Sequence, residues 1–247
     1  KSNDPFGTSL KSVALELRKG EIVGIAGVAG NGQDELLKAL SGEILVDAGS
    51  ISLDGRGIEN LAPNQRRNLG VAIVPEERLG RGAVPNMTLA DNALLTASGQ
   101  GLVNRGLIRF GRVREFSREV IRRFGVRCND ESSTAGSLSG GNLQKYIIGR
   151  EALQNPRLLV ASHPTWGVDV GSAVAIHEAL VQLRDAGAAI VLISEDLDEL
   201  YQLCNRLGAL CNGRLSPLAS TSELSIEQLG QWMAGEFESA EVNHVAA

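Results

Sequence analysis

Leu138-Ser139-Gly140-Gly141-Asn142-Leu143-Gln144-Lys145 opens a helical run that stops before Pro156, and Arg157-Leu-Leu-Val-Ala-Ser162-His163-Pro164-Thr165-Trp166-Gly167-Val168-Asp169-Val170 follows it. A serine and two glycines where a helix begins offer a hydroxyl and bare backbone N–H groups, an arrangement that can hold an anion. A lone Ser-Gly-Gly is equally an ordinary loop. What separates it from one here is the sequel, an apolar strand that ends in Pro-Thr-x-Gly-x-Asp-Val. The two blocks together are hard to assemble by chance.

A second glycine-rich stretch lies upstream, Gly27-Val28-Ala29-Gly30-Asn31-Gly32-Gln33-Asp34. It follows the strand-like run Glu21 to Ala26 and precedes a helix, Gln33 to Leu40, with Leu36, Leu37 and Leu40 on one face. The glycines are spaced as in G-x-x-x-x-G-K-[ST], a loop that wraps phosphates with backbone N–H groups. Gln33 stands where that pattern has lysine, and Asp34 where it has serine or threonine. Taken alone, the stretch reads as well as a tight turn without ligand, or as a variant dinucleotide-binding turn. The latter would need a third glycine where Glu35 stands, and the Leu138–Lys145 block would have no role in it.

The remaining sequence alternates strand-like and amphipathic runs, which predicts an α/β fold with a mostly parallel sheet. Ser50-Ile-Ser-Leu-Asp-Gly reads as an antiparallel strand and turn, and Val71 to Val74, Arg157 to Ala161 and Ala188 to Ser194 as further strands. Ser172 is expected to cap a helix ending at Gly187. His177 falls in that helix and, with no second ligand nearby, is a surface or packing residue. From Met87 to Arg127 the pattern is helical, with Val113, Phe116, Val120 and Phe124 at helical spacing. The eight arginines between Arg105 and Arg127 read as a solvated face over apolar surface.

Composition sets outer bounds. With 247 residues and 43% hydrophobic content, the chain buries a sizeable core. A net charge of −5 argues against nucleic acid as a partner. Three cysteines, Cys128, Cys204 and Cys211, lack metal-ligand spacing. No apolar run reaches the roughly 18 residues of a membrane helix. The chain starts at Lys1 without an initiator methionine, and is read as a fragment or as one half of a longer polypeptide.

In these motifs the sequence resembles the ATP-binding cassette family. It looks most like the second, C-terminal cassette of the fused two-cassette ATPases of bacterial simple-sugar and nucleoside importers. Further matches are Gly20-Glu-Ile-Val-Gly-Ile-Ala-Gly27, Val74-Pro-Glu-Glu-Arg78, Met87-Thr-Leu-Ala-Asp-Asn92 and Trp232-Met-Ala-Gly235. The resemblance implies a P-loop NTPase, RecA-like core over residues 1–86 and 146–225 with an antiparallel β part. It also implies an inserted helical subdomain at 87–145 and a C-terminal helix and tail at 226–247.

By position, it puts the nucleotide loop at Gly27 to Asp34, with Gln33 in place of the Walker A lysine and Asp34 in place of the magnesium-binding Ser/Thr. Glu76 falls at the Q-loop glutamine and Phe6 at the adenine-stacking aromatic. Ser162 falls at the magnesium-site aspartate of Walker B, His163 at its catalytic glutamate, and Glu195 at the switch histidine. The signature, Ser139-Gly140-Gly141 after Leu138, and the D-loop Asp169 are intact. The cofactors implied are ATP and Mg2+, weakly held at the chain's own site.

Phosphoryl transfer is mostly positioning and charge neutralisation. Gln33 brings no charge, Asp34 adds a negative one, and Ser162 cannot tie down magnesium as a carboxylate does. Hydrolysis in the chain's own pocket is therefore not expected. Since paired cassettes in this family each close their signature over the other's ATP, Ser139, Gly140 and Gly141 are expected to act in trans. The partners implied are a second cassette, fused upstream, and membrane permease subunits. The location implied is peripheral, on the cytoplasmic face of the bacterial inner membrane. The rival reading is a stand-alone regulatory nucleotide-binding subunit without a transport role.

Overall fold

The computed structural model describes residues 7–11, 13–47 and 49–238. Along the chain its elements are β1 (Ile22–Ala26), α1 (Gln33–Ser41), β2 (Ser52–Leu53), β3 (Arg56–Gly57), α2 (Pro63–Asn68) and β4 (Val71–Val74). Next come α3 (Leu89–Ala97), β5 (Val103–Asn104), β6 (Leu107–Ile108), α4 (Phe110–Arg123) and α5 (Gly140–Ala152). The chain continues through β7 (Leu158–Ser162), α6 (Val170–Asp185), β8 (Ala189–Ser194) and α7 (Leu197–Leu203), then β9 (Arg206–Cys211), β10 (Arg214–Leu215), β11 (Ala219–Ser220) and α8 (Ile226–Met233). The described residues fall into two compact units, one built from the chain up to Arg66 and from Ala189 onward, the other from Arg67 to Ala188.

In the first unit, β1 lies between β8 and β9 and is parallel to both, and β10 and β11 pair antiparallel with β9. Every residue of β1 and β8 is buried, which is why both read as unbroken apolar runs rather than alternating ones. The helix α1 leaves β1 through the glycine loop, and Leu36 and Leu37 are its buried face. Its last turn is closed by Arg66, wholly buried. The guanidinium donates to the carbonyls of Ala39, Leu40, Leu61 and Glu59, satisfying helix-end acceptors that water cannot reach. The antiparallel pair expected near Ser50 is β2–β3.

In the second unit β4 and β7 pair in parallel. Around them α3, α4 and α5 pack through a buried tyrosine. The Tyr146 hydroxyl on α5 bonds to Ser117 on α4 and donates to the carbonyl of Leu89 on α3. Burial pushes its pKa up to about 12, so it stays a neutral donor. Glu151, also on α5 and fully buried, meets Arg67 at 2.6 Å and Arg150 at 2.9 Å. Burial raises its pKa, but these two guanidinium groups outweigh that and hold it low.

Two sequence expectations are corrected here. The stretch from Met87 to Arg127 is not helical throughout, because the hairpin β5–β6 interrupts it. Arg105 and Gly106 both take positive φ, 49° and 78°, as the tight hairpin turn favoured by strand twist demands. Leu102, the residue before the hairpin, joins Ala90, Ala97 and Val113 in a small core. Secondly, α6 is capped by Asp169 rather than Ser172. The carboxylate accepts from the backbone nitrogen of Ser172 at 2.9 Å and from its hydroxyl at 2.7 Å, so Ser172 is a recipient in the first turn. No helix among the described residues is long and apolar enough to cross a membrane.

Candidate functional site

In the glycine loop between β1 and α1, the N–H groups of Ala29 and Asn31 are bonded to the protein's own side chains. Gly32 enters the helix at φ 112°, a conformation costly for any residue with a β-carbon. Gln33 is buried and folds back into the loop. Its Oε1 accepts from the backbone nitrogen of Asn31 at 3.0 Å, and its Nε2 donates to the carbonyl of Val28 at 2.9 Å. A β-carbon at Gly27 would fall 2.6 Å from that Nε2 and 2.7 Å from the carbonyl oxygen of Leu210, so the folded-back amide fills the room beside the loop. The N–H of Ala29 donates to Oε1 of Glu195 at 2.6 Å. The carbonyl of Gly30 takes the hydroxyl of Thr8 at 2.6 Å. Asp34, in the first turn of α1, is ion-paired with Lys38 at 2.5 Å. Phe6 lies outside the described residues.

In the other unit, the Leu138–Lys145 block forms the start of α5. Ser139 is its N-cap by backbone conformation, yet its side chain makes no cap bond. Its Oγ accepts from Nδ2 of Asn142 at 2.9 Å instead. Ser139 and Gly140 are exposed, while Gly141 is buried. A β-carbon on Gly141 would sit 2.7 Å from Oγ of Ser172 and 2.8 Å from Oδ2 of Asp169, so the glycine lets the starts of α5 and α6 touch. The hydroxyl and backbone N–H of Ser172 hold the Asp169 carboxyl below the usual aspartate range. Arg78, from the loop after β4, completes this cluster. Its Nε donates to Oε1 of Gln144 at 3.1 Å, and its Nη1 lies 2.8 Å from the point where a β-carbon on Gly140 would be.

Glu76, Ser162 and His163 come together in the same unit. Oγ of Ser162 is 3.1 Å from Nδ1 of His163, and Oε2 of Glu76 is 3.4 Å from that same nitrogen. A nucleophile–base–acid relay needs its acid and its nucleophile on opposite ring nitrogens. Here both crowd one, so the trio is not a hydrolytic triad. His163 itself holds φ 47°, unusual for a residue with a β-carbon, with its ring edge-on to Trp166 at 6.2 Å.

Among the described residues the structure thus brings Ser139, Gly140, Gly141 and Asp169 into one cluster, and Glu76, Ser162 and His163 into another. Gln33 and Glu195 each bond to the backbone of the glycine loop. Arg78 and Gln144 escaped the sequence reading. Both letters lie inside quoted motifs, but no spacing rule brings residues so far apart in sequence together.

The family model for ABC transporters matches residues 10–166, more than half of the chain. The chain belongs to the ABC transporter family. Among curated relatives of this cassette, the nucleoside import ATP-binding protein NupA of Lactococcus lactis subsp. cremoris is 41% identical over 92% of the chain and 45% of its own length. The guanosine import ATP-binding protein NupO of Bacillus subtilis is 39% identical over 92% and 45%. The ribose import ATP-binding protein RbsA 1 of Rubrobacter xylanophilus is 37% identical over 90% and 44%. The cassette therefore spans about half the length of the curated relatives it matches. In fold it is similar to the ATP-binding subunit of an ABC transporter, with TM-score 0.75, 24% identity, and 91% of this chain and 92% of that one covered. It is equally similar to the cassette MJ0796, solved as a post-hydrolysis dimer with ADP and Pi, with TM-score 0.75, 21% identity, and 90% and 94% covered. The mixed α/β cassette with parallel strands is accordingly the fold of P-loop ATPases of this family.

Proposed function

We propose that this chain is the second nucleotide-binding domain of an ATP-driven importer for simple sugars or nucleosides. In this reading its own Walker pocket has lost hydrolysis, and its signature completes the ATP site of a partner cassette. The import function and solute class rest on the printed names of relatives that match over about half of their length.

One contrast carries the reading. Two N–H groups of the glycine loop, at Ala29 and Asn31, already have acceptors in Glu195 and Gln33. The signature's Ser139 and Gly140, by contrast, stand exposed, and the Ser139 side chain takes none of its helix's N–H groups. A lysine-to-phosphate contact contributes about 1.5–3 kcal/mol, or roughly ten- to hundredfold in affinity, and Gln33 replaces it with a bond inside the loop.

The residues at the two magnesium positions do not fit the ion. Asp34 is held by Lys38, and the hydroxyl of Ser162 lies against a histidine ring. Magnesium favours carboxylate and phosphate oxygens in octahedral array, and among the described residues no three His, Cys, Asp or Glu side chains cluster to hold a metal.

What remains for this chain is work in trans. Ser139 and the N–H groups beside it would donate to the γ-phosphate on the partner, and Asp169 keeps the starts of α5 and α6 in register. Residues 87–145 would form the helical subdomain. With the loop from Glu76 to Asn86, they would meet a permease at the cytoplasmic face of the inner membrane.

The test is the ATPase rate of the assembled two-cassette complex with its permease. Ser139→Arg should nearly abolish turnover, since donors of this kind each contribute on the order of a hundred- to a thousandfold. Gln33→Ala should cost little. Equal and small effects from both changes would overturn the assignment.

A further inference from the structure

Arg78 is a half-buried cation with no carboxylate partner among the described residues. Burial lowers its pKa. Other arginines of the same unit are paired, Arg67 with Glu151 and Arg118 with Glu131. The one hydrogen bond of Arg78 among the described residues runs from Nε to Gln144. That leaves Nη1 beside the signature and Nη2 toward the turn at Gly167. Nη1 lies 2.8 Å from the β-position of Gly140, and Nη2 lies 3.8 Å from that of Gly167. Gln144, one helical turn after Gly140, is 1% exposed, and its Nε2 has no hydrogen-bond partner among the described residues. A partly desolvated guanidinium and an unsatisfied buried amide, side by side at a helix start, are together poor in acceptors and rich in donors. Such an arrangement is costly unless an anion arrives to complete it.

We propose that Arg78 is a catalytic residue acting in trans, its guanidinium making a charged contact to the γ-phosphate that Ser139 and Gly140 close over on the partner cassette. The inference rests on the function proposed above for the signature. In the reaction, water adds to the γ-phosphorus, and the bond to the β–γ bridging oxygen breaks with its electron pair leaving on ADP. One water proton stays on the inorganic phosphate and the other passes to solvent. Arg78 gives up no proton. It neutralises charge on the γ-phosphoryl oxygens as the bond opens, as guanidinium groups supplied from a second chain do in other phosphoryl transfers. Gln144 is a positioning residue, since it holds Nε and so points the two free nitrogens forward.

The experiment measures kcat and KM for ATP of the assembled two-cassette complex, with Arg78→Ala, Arg78→Lys and Ser139→Arg beside wild type. Arg78→Ala should lower kcat about a hundredfold with KM within about twofold, because the contact strengthens as charge develops. Arg78→Lys should recover about tenfold of that loss by restoring the charge without the fork. If Arg78→Ala does not assemble, Arg78→Gln is read in the same way. A silent Arg78→Ala beside a dead Ser139→Arg overturns the role of Arg78 and leaves the signature reading intact. A silent Ser139→Arg overturns both. Equal losses in Arg78→Ala and Arg78→Lys, with KM raised, would mean a packing role only and would also overturn the proposal.

Discussion

The Glu195 carboxylate lies 2.6 Å from the backbone nitrogen of Ala29, so a triphosphate entering the glycine loop must displace an anion held by the protein itself. Changing Glu195→Gln keeps the acceptor and the shape but removes the charge. A hydrogen bond with one charged partner contributes about 1.5–3 kcal/mol, against about 0.5–1.5 for a neutral one. The difference, roughly 1–1.5 kcal/mol, corresponds to about a tenfold change in affinity. Removing repulsion between the carboxylate and the phosphates adds to this, but Glu195 is only half-buried and screening trims that share. MgATP should therefore bind the Glu195→Gln chain about tenfold tighter than wild type. Combining it with Gln33→Lys should gain at least another tenfold, because lysine both vacates the loop interior and supplies the missing charge. Isothermal titration calorimetry on the purified chain, at low and at physiological salt, reads these shifts directly. Affinity within twofold of wild type for both variants would refute the idea that the loop is occupied from within.

Other substitutions probe the framework. Glu151→Ala leaves the buried Arg150 and the half-buried Arg67 without their shared carboxylate, and should cost about 3–5 kcal/mol in urea denaturation. Gly27→Ala forces a β-carbon to within 2.6 Å of the Gln33 amide. It should destabilise the chain by about 1–3 kcal/mol, and Gly27→Ala with Gln33→Ala should recover part of that loss. For Asp169, the pKa is depressed below its ordinary 3.8 by contacts with Ser172. The stability from those contacts is complete above that ordinary value and is lost as pH falls through the depressed one. The melting-temperature gap between wild type and Asp169→Ala should thus be constant near neutrality and close in acid, below about pH 4.

The strand–glycine–helix passage from Ile22 to Ser41 was legible because its signals are local. An unbroken apolar run, glycines at the turn and paired leucines one turn into the helix depend on nothing distant. The start of α5 was legible for the same reason. The hairpin at Val103–Ile108 was not, since Asn-Arg-Gly is a weaker turn signal than Asn-Gly and sits inside a stretch with helical spacing. The α6 cap was misjudged because Asp169 and Ser172 are both good capping residues, and only geometry says which one accepts. Least legible were the contacts of Glu195 with Ala29 and of Arg78 with Gln144. They join residues 166 and 66 positions apart, and no periodicity in one sequence encodes such a meeting.

Helices α4 and α5 approach so closely that a β-carbon at Gly149 would fall 2.5 Å from the Phe124 ring, and the Ser117–Tyr146 and Lys145–Gly125 bonds tie them at two further points. A pair keyed together in this way has little freedom to slide or to roll on itself. The two helices are therefore expected to shift as one body, so that a displacement imposed on α4 would reach the start of α5 at Ser139.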